Sequence, residues 1–238
     1  MNKSPPTYCV GIDGCKDGWV VVYCPISSFD KAKVKHYEKL SQLDNYFNRP
    51  SVIIIDIPIG LETNKPNRSC DTAARKFLGR RSSTIFSPPC QDAIFSRDYE
   101  EAKTINMQKT GKSISKQSWF LSNKILEAKN LIESNRDIIL KEGHPECSFA
   151  QYAGAPISDN KKRIRGIFKR LDILNKLNFN LQKLVEMLPE NASLKIDDLF
   201  DAAILCWTAS RYINGESRTL PNSHANKNNI SDSLHINF

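Results

Sequence analysis

The chain has 238 residues, 40% hydrophobic and 25% charged, which is the profile of a globular protein with a sizeable core. Lys and Arg number 34 against 26 Asp and Glu; the resulting formal charge of +8 favours a polyanion partner without naming one. No run approaches the roughly 18 apolar residues of a membrane span, and the seven cysteines are scattered without a C-x-x-C pair, which argues against a disulfide framework or a zinc ribbon.

Met1 to Pro6 is a short polar stretch with no apolar core of a signal peptide, so a cytoplasmic protein is expected. Residues 7–13 alternate as a strand, Gly11, Gly14 and Gly18 bracket a tight turn, and Trp19 to Cys24 returns as the second arm of a hairpin. Lys33 to Leu40 reads as a third strand and Ser41 to Phe47 as a short helix capped by Ser41. Ser51 to Ile57 is a continuous β-branched run, as in a strand buried on both faces. Residues 61–136 form a basic, largely helical insertion. Within it Asp71 to Leu78 reads as a helix, and Ser113 to Glu133 as a longer one with Leu121, Ile125, Ala128 and Ile132 on one face. Asp137 to Leu140 returns to strand, residues 161–188 read as helical, and a last helix runs from about Asp197 to Ile213. A single domain over 7–215 is expected, followed by a polar, disordered tail over 216–238.

Acidic residues stand where these strands end and helices begin. Asp13 closes the first strand and Asp56 the β-branched run; Glu146 follows the strand at Ile138 to Leu140; Asp198 and Asp201 open the last helix. A carboxylate at the end of a buried strand is costly unless its charge is compensated. Several such acids from distant parts of the chain point to a shared cation, and hard divalent ions take oxygen ligands. Two Mg2+ or Mn2+ ions about 3.5–4 Å apart activate a water and stabilise a leaving oxygen in phosphodiester hydrolysis. Asp198 and Asp201, three apart, share a helix face. Asp197 points about 100° away from Asp198 and is read as a helix cap or a dipole partner. Each acid has a structural reading too: Asp13 as a turn residue, Glu146 as the partner of an arginine, Asp198 and Asp201 as helix-start acids. His144, before Pro145, is either a proton shuttle or a packed loop residue.

Two basic segments suit a phosphate backbone. One is Lys161, Lys162, Arg163 and Arg165, continuing to Lys169 and Arg170, which a solvated helix face explains equally well. The other is Arg75, Arg80 and Arg81 with the hydroxyls of Ser82 and Ser83. Cys9, Cys24, Cys147 and Cys206 read as small core residues, whereas Cys15, Cys70 and Cys90 fall in expected loops.

Seven ordered segments carry a family resemblance: Val10 to Trp19 (VGIDGCKDGW), Ile55 to Leu61 (IDIPIGL), Cys70 to Arg75 (CDTAAR), Leu78 to Ser83 (LGRRSS), Ser115 to Trp119 (SKQSW), His144 to Phe149 (HPECSF) and Asp197 to Ala203 (DDLFDAA). Together they resemble the family catalogued as domain of unknown function 429, predicted nucleases with an RNase H-like fold. The resemblance implies an α/β chain with a mixed five-stranded sheet, first strands antiparallel and later ones parallel, flanked by helices. It implies that the first strand supplies Asp13, the strand after the first helix Asp56, and the last helix Asp198 and Asp201. A metal-dependent nuclease acting on nucleic acid is the expected function. The competing readings are a nucleotide-binding phosphotransferase or phosphatase, from the short Asp13-Gly14 to Gly18 loop, and a non-catalytic nucleic-acid-binding module.

Overall fold

In a computed structural model of the chain, residues 8–43, 51–134, 138–190, 193–222 and 234–238 are described. The expected hairpin forms from β1 (Tyr8–Cys15) and β2 (Gly18–Pro25), with Cys15 facing Gly18 across a two-residue loop. Gly18 takes φ 145°, and a Cβ there would lie 2.1 Å from Tyr37 O, so the turn requires glycine twice over. On one side of the hairpin β3 (Lys33–Tyr37) pairs antiparallel with β2; on the other, β4 (Ser51–Ile55) and β5 (Ile138–Glu142) add in parallel. The sheet is mixed and five-stranded, in the order β3-β2-β1-β4-β5.

Alternation of side chains sorts these strands into two faces. Val10, Ile12, Val21, Ile53 and Ile55 pack against Ile125, Ala128 and Leu131 of α4 (Ser122–Ser134). Cys9, Val20, Val22, Val52 and Ile54 pack against the last helix, α8 (Ile196–Ile213). β4 is buried at all five positions because helices cover both its faces, as its β-branched sequence predicts. At Gly11 an added Cβ would lie 2.0 Å from Ala202 O and 2.2 Å from Cys206 N. The missing side chain lets the backbone of α8 rest directly on β1. α5 (Pro145–Ala153) and α6 (Ile164–Lys176) pack on α8 in turn, so α8 is buried nearly all round.

Several expected elements differ in detail. The helix at Ser113 to Glu133 is two, α3 (Lys116–Phe120) and α4, and its buried stripe ends on Leu131 while Ile132 is exposed. The helical stretch at 161–188 breaks into α6 and α7 (Leu181–Glu186) at Asn178, whose φ of 65° suits asparagine better than most residues. Of the helix expected at Ser41 to Phe47, a 3-10 turn over Leu40–Leu43 is seen and the rest lies outside the described residues, as does Asp137. α1 (Ser69–Leu78) matches its expectation, whereas α2 (Tyr99–Thr110) and α5 were not expected. The stretch 216–238, expected as a disordered tail, contributes β6 (Thr219–Leu220) and β7 (Ile236–Asn237), with Phe238 buried. Leu220, Ile236 and Phe238 supply the apolar contacts that hold it against α1 and Cys147; residues 223–233 of this stretch lie outside the described ones. Among the described residues no helix is long and apolar enough to cross a membrane.

Candidate active site

Register brings the first two acids together. Ile12 pairs with Ile55, and the next step places Asp13 beside Asp56, whose N–H donates to Ile12 O at 3.0 Å. Asp13 has the parity of Cys9 and Gly11, and Asp56 that of Val52 and Ile54, so both side chains lie on the face covered by α8. They stand at the carboxyl ends of adjacent parallel strands, where open α/β sheets bind their ligands. α8 brings Asp201 down onto them, one residue before Ala202, the residue seated on Gly11.

Burial and mutual repulsion leave these acids short of positive charge. Asp13, 6% exposed, is held well above the usual carboxylate range by burial, then by Asp201 and Asp56, with Lys161 opposing. Burial raises Asp56 to about 6, with Lys161 opposing and Glu146 adding to the rise. Asp201, 2% exposed, is raised by burial to about 7, against the pull of Lys161 and with the push of Asp56 and Glu146. Its Oδ2 accepts a hydrogen bond from Lys161 Nζ, while its buried Oδ1 has no hydrogen-bond partner among the described residues. An unpaired buried carboxylate oxygen is expensive.

Two expectations about α8 change places. Asp198 is the capping acid, its Oδ2 accepting the Lys195 N–H at 3.0 Å. Asp197 turns to Lys161, at 3.5 Å, and shares that lysine with Asp201 because residues four apart stack on one face. Asp198 is half-buried and still adds to the field at Asp13.

Glu146 takes its arginine-paired reading. It enters the first turn of α5, after His144 as N-cap and Pro145 at the first helical position. Arg170 Nη2 donates to Glu146 Oε1 and Oε2, each at 2.7 Å, and Arg81 Nη2 reaches Oε1 at 3.3 Å. His144 lies between the acid cluster and the 3-10 turn at Gly79–Thr84, with Nε2 3.4 Å from Thr84 O and Nδ1 without a partner among the described residues. Burial lowers its pKa below 6.5, so the ring is neutral at pH 7.

The basic residues expected on a substrate separate into two groups. Arg75 is used internally: its Nη2 donates to Ile85 O at 3.0 Å and Ser87 Oγ at 2.9 Å, stapling the turn that follows α1. Arg81 is likewise engaged, with Glu146. Lys161 corrects the expectation most, since it points inward at Asp197 and Asp201 instead of outward with its neighbours. Lys162, Arg163 and Arg165 are exposed beside it, as are Arg80 and Ser83, with Ser82 partly buried.

One charged group went unseen in the sequence. Arg68, 3% exposed, donates Nε and Nη2 to Asp71 at 3.0 and 2.6 Å, Nη1 and Nη2 to Glu142 at 2.7 Å each, and Nη1 to Gly60 O at 3.0 Å. Glu142 Oε2 also accepts the Ile59 N–H at 2.9 Å. This cluster fixes the loop after Asp56 and explains why β5 ends in the polar Lys141-Glu142-Gly143. All seven cysteines are buried and free, including Cys15, Cys70 and Cys90, which the sequence had placed in loops. Among the described residues the acids do not form a tight ligand set: no three of them offer one oxygen each within 4.8 Å of one another. Cys9, Cys24 and Cys206 do gather in that way, as do Cys70, Asp71 and Glu142, the latter already neutralised by Arg68.

The fold and site together define an α/β protein with a mixed five-stranded sheet and a buried acid cluster at the carboxyl ends of its parallel strands. The family model described as "Protein of unknown function (DUF429)" matches residues 11–226, and the chain belongs to that family. No curated protein and no solved structure matches it.

Proposed function

We propose that the protein is a metal-dependent nuclease of RNase H-like fold, hydrolysing phosphodiester bonds of nucleic acid. The observation that carries this reading is the convergence of Asp13, Asp56 and Asp201, carboxylates with raised pKa values opposed by Lys161, two of them buried and Asp56 partly so, and one with an unpaired oxygen. The donor set is oxygen only, which suits Mg2+ or Mn2+ and disfavours soft metals. Asp13, Asp56 and Asp201 would hold the ion, with Asp198 contributing to the field at Asp13 and Asp197 sharing Lys161 with Asp201. When bound, such an ion lowers the pKa of a water and stabilises the charge on the leaving oxygen.

The remaining residues act by position. Gly11 sets the height of α8 above β1, and with it the approach of Asp201 to Asp13. Arg68, through Gly60, Glu142 and Ile59, fixes the loop that follows Asp56. Arg170 and Arg81 neutralise Glu146, so that its charge does not add fully to that of Asp56 and Asp201. Outside, Lys162, Arg163 and Arg165 are exposed on the segment that begins α6, together with Ile164 and Phe168, which are 75% and 62% exposed. Basic groups for phosphates and an aromatic ring for bases make a surface suited to a single strand.

The test is cleavage of labelled single-stranded and duplex DNA and RNA in Mg2+ or Mn2+, with calorimetric ion binding measured alongside. Wild type is expected to bind the ion and cut, and Asp56→Asn to lose both while its melting temperature stays near wild type. Ion binding unchanged in Asp56→Asn would overturn the assignment. Oligonucleotide binding without ion binding or cleavage would favour the non-catalytic module.

A further inference from the structure

Lys161 turns inward to Asp197 and Asp201, while Arg170, further along the same basic run, turns inward to Glu146; the turn that carries Lys161 is firmly tied down. Asn160 O accepts the Arg163 N–H at 2.9 Å, and Asn160 Oδ1 accepts the Lys162 N–H at 2.9 Å. Arg170 Nη1 donates to Asp159 O at 3.3 Å, Lys169 Nζ reaches Asp159 Oδ2 at 2.6 Å, and Gly166 packs so closely that a Cβ would lie 2.0 Å from Asn160 O. The backbone is therefore anchored to α6, and only the long side chain of Lys161 is free to swing.

That side chain sits where a cation is most favoured. Nζ contacts Asp201 Oδ2 and lies 3.5 Å from Asp197 Oδ2. Burial opposes its charge, yet Asp201, Asp13 and Asp56 outweigh burial and hold the ammonium protonated well above the ordinary lysine range. Among the described residues, no three of the acids offer one oxygen each within 4.8 Å of one another. Ligands of Mg2+ stand about 2.0–2.1 Å from the ion, so the same carboxylates must contract to take it.

We propose that Lys161 and the divalent ion compete for one place, so that the ion binds Asp201 only when the lysine swings out to solvent. This rests on the metal-dependent reading above and adds to it an occupant that sets the ion's affinity. The swing is short, because Lys161 is already 28% exposed and lies beside the exposed Lys162. Lys161 satisfies only Oδ2 of Asp201; the buried Oδ1 has no hydrogen-bond partner among the described residues, so the lysine leaves this carboxylate half-satisfied.

The test is Mn2+ affinity, read by electron paramagnetic resonance of the free ion, for wild type, Lys161→Gln and Lys161→Arg. If the competent, lysine-out state is about a tenth of the wild-type population, Lys161→Gln binds about tenfold more tightly. Lys161→Arg keeps the charge and stays close to wild type. Equal or weaker binding by Lys161→Gln overturns the competition and leaves the metal-dependent reading standing. No Mn2+ uptake by any of the three, with or without an oligonucleotide, removes both. A wild-type measurement covers the case in which Lys161→Gln does not fold. Amine-directed acylation, mapped by mass spectrometry, is expected to label Lys161 several-fold faster in saturating Mg2+ while Lys162 is unchanged. Unchanged or slower labelling of Lys161 refutes the exchange.

Discussion

Replacing Asp201 by asparagine removes a charge that the fold holds at a disadvantage, and the effect is readable as a pH dependence of stability. Burial lifts the pKa of Asp201 from 3.8 to about 7, so between these values the native state carries a proton that the unfolded chain has released. Stability then falls as pH rises, and the loss is complete once the pH exceeds 7. The excess is close to one proton at pH 5 and falls to about half a proton at pH 7; at about 1.4 kcal/mol per proton and pH unit the loss is about 2 kcal/mol by pH 7 and nearly 3 kcal/mol by pH 8. Asparagine resembles the neutral acid at every pH and escapes this loss. Urea denaturation in the presence of a chelator, at pH 5 and pH 8, is the assay. Asp201→Asn should gain about 3 kcal/mol on wild type between the two conditions. His144, lowered by burial, acts in the opposite sense, its contribution being lost as pH falls below 6.5; burial, its first cause, is common to both proteins, whereas the smaller upward push of Asp201 on it is lost in the variant. Parallel pH profiles for the two proteins would refute the reasoning, because Asp201 would then ionise without cost.

Arg170→Met leaves Glu146, 4% exposed, with Arg81 alone at 3.3 Å, and should cost roughly 3–5 kcal/mol of stability by urea denaturation. The double variant with Glu146→Gln should recover most of that, since no buried charge is then stranded. Gly11→Ala forces a methyl against the backbone of α8, from which it would lie 2.0 Å at Ala202 O, so the helix must retreat. Overpacking of this kind costs roughly 1–3 kcal/mol or more, and thermal melting together with weaker Mn2+ binding is the expected pair of signs.

The sequence carried the sheet well and the charges unevenly. A hairpin with glycine at its turn, a β4 that is apolar from Val52 to Ile55 and the long apolar α8 are written in local periodicity, and Asp13 and Asp56 could be placed because each interrupts such a pattern. α2 left little trace, since its buried residues are only Ala102 and Asn106. α5 did leave a signal that could have found it: Pro145 at its first position, Glu146 in its first turn and Gly154 with φ 76° at its end. Pairing was barely legible: an arginine partner could be expected for Glu146, but not which one. Arg68 meets Glu142 across 74 residues and Arg170 meets Glu146 across 24, distances that no spacing rule reaches. Lys161 was invisible for a related reason: among consecutive lysines and arginines nothing local says which one turns inward. Asp197 and Asp198 were exchanged because their neighbouring positions give the same helical start, and the position of Lys161 alone decides between them.

The close seat of α8 on Gly11 has a bearing on how the chain folds. Asp13 and Asp56 are brought side by side only by the parallel β1–β4 pairing, and Asp201 joins them only when α8 docks from the far end of the sequence. The β1–β2 hairpin, by contrast, is local and closes early. The first two like charges therefore meet when β1 and β4 pair, and the third is added only when α8 docks. The local hairpin can form without their repulsion, and the site is complete only once the helix from the far end of the chain is seated on Gly11.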